Sequence, residues 1–165
     1  MSIFDAFKKE KKSSDKPLPI MNPVFGEVLN FKNWYSREFY SITLWDKNYN
    51  INLVAFENNA NDPITPEQEA SCLRFKNDLS VYQNCLESAL EDLFHISDKA
   101  VLRDKIKVKS VIFSKDGKMC FDLSADFDYG YLEECGIGPD EDFGFSLYPD
   151  IQFFPSNEEL LDYLE

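Results

Sequence analysis

The sequence predicts an α+β fold: an antiparallel sheet of about six to seven strands, with a central long helix or helix pair and a C-terminal helix packed on one face. Three observations carry this. Runs that alternate apolar and polar residues, or are rich in β-formers, lie before residue 57 and after residue 106. Between them, from Glu67 to Asp116, there is neither Gly nor Pro. The chain ends on Ser156 with Glu159, a capping box opening a helix that carries Leu160, Leu161 and Leu164.

The elements follow in order. After a Pro-punctuated entry from Pro17 to Pro23, strands are expected at Val24–Asn30, Trp34–Trp45 and Tyr49–Glu57. The short Asp46-Lys47-Asn48 link makes the second and third an antiparallel hairpin. Phe39, Ser41, Thr43 and Trp45 share one face, and Tyr40, Ile42 and Leu44 the other. Asn58 to Pro63 reads as a loop that ends in a helix start, with Thr65 as N-cap, Pro66 at the first helical position and Gln68 completing a capping box. Tyr82, Leu86, Ala89, Leu90 and Leu93 fall on one helix face. The pattern fits one helix of about 30 residues or two joined near Asn77-Asp78. Ser97-Asp98 can cap a further short turn, and Asp116-Gly117 marks a hairpin between strands at Ile106–Ser114 and Lys118–Phe127. A loop over Asp128–Asp142 precedes strands at Phe143–Tyr148 and Ile151–Phe154. Residues 1–22 read as a basic amphipathic segment and linker, and residues 23–165 as a single domain.

Charge is the most informative property of the composition. The 165 residues carry a formal net charge of -13, and all of it lies in the last 45: residues 121–165 hold thirteen acids, ten aromatics and no Lys or Arg. Such a balance argues against nucleic acid, whose binding needs cations to neutralise phosphates. Residues 1–16 are the exception, with five Lys against three acids. There Ile3, Phe4 and Phe7 fall on one side of a helical turn, compatible with weak membrane-surface association through residues 1–12. No run approaches the roughly 20 apolar residues of a membrane span, and no secretory signal follows the lysines, so a cytoplasmic protein is expected. Cys72, Cys85, Cys120 and Cys135 match no metal or redox spacing and read as reduced thiols.

No catalytic signature is present, and neither cofactor nor metal is expected. The one histidine, His95, falls at the end of a helix and reads as structural. Gly136-Ile137-Gly138 lacks the second half of a dinucleotide fingerprint. The acids therefore read as a surface for a basic protein partner. Aromatic anchors inside an acidic rim supply buried area and fast, selective encounter. The candidate partner-binding residues are Asp126, Asp128, Tyr129, Tyr131, Glu133, Glu134, Asp140, Glu141 and Asp142. Two other readings stand beside this one. The same carboxylates would serve a carboxylate- or divalent-cation-dependent enzyme, although their spacing is not that of an EF-hand loop. Residues 1–12 would tether a membrane-surface scaffold.

The passage Asp140-Glu141-Asp142-Phe143-Gly144-Phe145, with the Thr65 and Gln68 helix opening, resembles a family of small acidic bacterial domains of unknown function with an Asp-x-Glu-x-Gly-Phe turn. Asp142 departs from the family's Glu, and Ser146 from a second Gly. The resemblance implies a cytosolic immunity-type protein that neutralises a toxin by binding it.

Overall fold

The computed structural model describes residues 17–31, 33–56, 62–140 and 142–165. The amphipathic segment of residues 1–12, the loop from Asn58 to Asn61 and Glu141 lie outside the described residues.

The fold class is α+β, built on a sheet of eight strands rather than six or seven. The strands lie in sequence order: β1 (Pro19–Asn22), β2 (Gly26–Asn30), β3 (Trp34–Leu44), β4 (Lys47–Phe56), β5 (Ile106–Phe113), β6 (Met119–Ala125), β7 (Asp142–Tyr148) and β8 (Gln152–Phe154). The additional strand is β1, inside the Pro-rich entry expected to be linker. Its Asn22 side chain accepts from the Val24 and Phe25 amides, which turns the chain back so that Ile20 pairs with Val28. An edge strand tolerates Pro19 because one of its sides makes no ladder bonds.

Every neighbouring pair is antiparallel except β4 and β5, which run parallel with Leu53 opposite Val111. The cause is the crossover between them, which carries α1 (Pro66–Asn77), α2 (Leu79–Phe94) and α3 (Lys99–Lys105). The long helical region is thus a pair plus a short third helix, broken at Asp78, which caps α1 through its amide to Arg74 O. The capping box at α1 is formed, and its Gln68 does more than cap. Buried at 1% exposure, its Nε2 donates to Phe56 O at 2.8 Å and Phe113 O at 3.0 Å, tying the C-terminal ends of the parallel strands to the helix.

The β3–β4 hairpin turns one residue earlier than its composition suggests. Leu44 pairs with Lys47, and Trp45 and Asp46 both have positive φ, 52° and 61°, as a two-residue type I′ turn requires. Trp45 therefore leaves the Phe39, Ser41, Thr43 face. Its ring packs edge-on against Tyr49 in the core, and its amide donates to Gln83 on α2 at 3.0 Å.

Strand alternation divides the core in two. On one face Leu53, Ala55, Val111, Phe113, Phe121 and Phe143 meet α1, α2, α3 and α4 (Tyr129–Glu134). Phe75 of α1 contacts Phe113 and Phe121 edge-on. On the other face Val54, Phe56, Ile112 and Cys120 meet Leu160 and Leu164 of α5 (Asn157–Leu164). The C-terminal helix thus packs opposite the others, not on their face. Two fully buried leucines contribute roughly 1.5–3 kcal/mol each to that docking. Among the described residues, no helix is long and apolar enough to cross a membrane.

Candidate functional site

Helix α4 occupies the first part of the stretch expected to be loop, and local chemistry explains it. Asp128 is its N-cap, accepting from the Gly130 amide at 3.1 Å, and Leu132 is its buried anchor. The Ile137 amide returns to Leu132 O, closing the C-terminal end. Tyr129 and Tyr131 then part company. Tyr129 projects, 47% exposed. Tyr131 packs between Phe94 and Phe127, at ring-centroid distances of 6.2 and 5.3 Å, and its hydroxyl donates to Phe94 O at the end of α2. Burial pushes its phenol up. Tyr131 thus pegs α4 to α2.

The acids also separate. Asp126, Asp128, Glu133, Glu134 and Asp140 are exposed on α4 and its flanks, and Glu141 lies outside the described residues. Asp126 faces Lys105 at 3.6 Å. Among the described residues, no Lys or Arg pairs with Glu133, Glu134 or Asp140. Asp142 departs from the expected surface. It begins β7 on the same side as Gly144 and Ser146, opposite Phe143 and Phe145, and is only 8% exposed. There it pairs with Lys109 and accepts from Asn157 Nδ2 of α5 at 3.3 Å. Asp122, fully buried on the neighbouring strand, accepts from Ser110 Oγ at 3.2 Å. These groups, missed in the sequence, form a buried polar seam beneath the N-terminal end of α5. The polar residue in Phe121-Asp122-Leu123 was its local trace; the pairing of Lys109 with Asp142 across 33 residues left none.

Elsewhere the ionisable groups have structural roles. Glu87 of α2 is 5% exposed and receives Arg103 Nε at 2.6 Å, Arg103 NH2 at 3.1 Å and Lys99 Nζ at 3.0 Å from α3. The Arg103 hydrogen bonds, helped by Lys99 and opposed by burial, hold its carboxyl below the usual range. Burial pushes the Cys72 and Cys120 thiols up to about 12, so neither supplies a thiolate at neutral pH. His95 is exposed and caps α2 in the left-handed conformation, with φ 52°. Among the described residues, no group of three or more His, Cys, Asp or Glu is placed to hold a metal ion.

What the arrangement offers at its surface is Glu133, Glu134 and Asp140, without a pairing cation among the described residues, beside the exposed ring of Tyr129 on a short helix fixed at both ends. No protein-family model, curated protein or solved structure matches the chain.

Proposed function

We propose that the chain is a non-catalytic cytoplasmic protein-binding module, an immunity-type inhibitor that masks a basic toxin or effector with the acidic surface of α4. The observation that carries the reading is the set Glu133, Glu134 and Asp140, exposed and without a pairing cation among the described residues, beside the exposed Tyr129. Exposed charges of one sign accelerate encounter with a complementary partner, and an aromatic ring supplies buried area once contact is made. Asp126 and Asp128 add to the field, while Tyr131 and Asp142 support it from within the fold.

The test is co-purification with the product of the adjacent gene. A complex is expected at about 50 mM salt and its loss near 0.5 M, where the screening length falls to a few ångströms. The triple reversal Glu133→Lys, Glu134→Lys, Asp140→Lys should abolish it. A complex indifferent to both salt and reversal would refute the reading.

A further inference from the structure

A groove of about 320 Å³ runs along α2 between Asn84, Cys85, Ser88, Ala89 and Asp92 on one side and Ile151 of the β7–β8 turn on the other. The five helix residues recur at i, i+1, i+4, i+5 and i+8, one stripe about 12 Å long at 1.5 Å per residue. Its lining is mostly apolar, and Ile151 stands 58% exposed at its lip. Cys85 and Ala89 sit half-buried against the core, so the stripe has a fixed floor. Small side chains at Ser88 and Ala89 leave room for another backbone to approach, as close helix packing requires.

Acidic residues face this groove from α2 and the β7–β8 turn, while Arg74 of α1, 3.9 Å over the Tyr148 ring, and Lys99 of α3 are the cations nearby among the described residues. Helix α2 has Glu87, Glu91 and Asp92 and no Lys or Arg. Glu87 and Glu91 are met by Lys99, at 3.0 and 3.7 Å, which leaves exposed Asp92 within the groove. Asp150 is exposed beside Ile151. Two residues beyond Asp92, Phe94 O receives the Tyr131 hydroxyl of α4.

We infer that this groove seats an amphipathic basic helix of the partner, its apolar stripe between Ala89 and Ile151 and its Lys or Arg side chains toward Asp92 and Asp150. The inference rests on the proposed basic partner and gives that partner a shape. Helix-in-groove recognition places affinity in the apolar stripe and orientation in the flanking charges.

The experiment uses the full chain and two synthetic 15-residue peptides of identical Lys and Leu composition: one with Leu at helical i, i+3, i+4, i+7 spacing, one scrambled. Binding is read by fluorescence anisotropy at about 50 mM salt. The amphipathic peptide should bind at least about tenfold tighter than the scrambled one, and Ser88→Trp, which fills the groove from an exposed position, should erase that advantage. Bound peptide should also slow alkylation of Cys85 in a Cys135→Ser background. Equal binding of both peptides, or a Ser88→Trp variant with unchanged melting temperature that still discriminates between them, overturns the groove. If the α4 triple reversal nevertheless abolishes the complex with the adjacent gene product, the proposed function survives that failure. Loss of both results would overturn the two together.

Discussion

Substituting Gly144 with alanine probes the contact that puts α5 on its own side of the sheet. A Cβ at this position would lie 2.9 Å from Leu160 Cδ2, 3.2 Å from Leu160 Cδ1 and 2.9 Å from the backbone oxygen of Phe121. Ordinary contact begins at 3.4 Å, so Leu160 and β6 must each retreat by about 0.5 Å. Neither is free to do so, because Leu160 is fully buried and the Phe121 carbonyl belongs to the strand paired with β7. Overpacking of this kind costs roughly 1–3 kcal/mol, partly offset by about 0.4–1 kcal/mol from restricting the unfolded chain. A net loss of about 1–2 kcal/mol lowers Tm by about 2–8 °C for a domain of this size. The assay is thermal unfolding by circular dichroism, with Gly138→Ala, where no atom lies within 4 Å of the added Cβ, as a neutral control. Leu160→Ala alone should cost about 2–5 kcal/mol. In that background two of the three close contacts disappear, so Gly144→Ala should cost about 1 kcal/mol less than in the native chain. An identical cost in both backgrounds would refute the packing of α5 over Gly144.

Three further outcomes follow from named groups. Glu87→Gln should lower Tm at pH 7, and the gap should close on acidification. The folded chain holds the Glu87 anion more tightly than the unfolded one, so its contribution is full above the ordinary pKa of 4.5 and is lost as pH falls through the lowered folded pKa; a gap that does not narrow at all below that value would contradict this. In native protein a thiol reagent should label Cys85 and Cys135, while Cys72 and Cys120 react only on unfolding, which mass spectrometry of the labelled peptides resolves. Tyr131→Phe should cost about 1 kcal/mol of stability through the lost bond to Phe94 O and leave partner affinity unchanged, whereas Tyr129→Ala should weaken affinity and spare stability.

Local signals in the sequence suffice where a single element decides the outcome. Thr65, Pro66 and Gln68 open α1, Ser156 opens α5, Asp98 caps α3, and period-two alternation locates six of the eight strands well and a seventh in outline. What escaped depends on partners distant in sequence. Pro17, Pro19 and Pro23 read as a linker, yet Asn22 folds an edge strand back onto β2. Trp45 and Asp46 carry no glycine to announce positive φ; the turn holds because Gln83 of α2 and Tyr49 of β4 fix Trp45. The amphipathic stripe of α5 says that it packs, not on which side; the uninterrupted apolar run Val111-Ile112-Phe113 is the signal that both sheet faces are covered. At the site, spacing placed the acids near one another but could not sort them. Asp142 is drawn inward by Lys109, and Tyr131 by Phe94, while Glu133, Glu134 and Asp140 stay outside.

The central claim is that function resides on the acidic surface shared by α2, α4 and the β7–β8 turn. Amide chemical-shift mapping with the basic amphipathic peptide tests it most directly. Shifts confined to residues 84–92, 129–134 and 150–152 are the predicted result. Shifts centred instead on the exposed Ser41, Thr43, Asn48 and Asn50 face of the β3–β4 hairpin would contradict it.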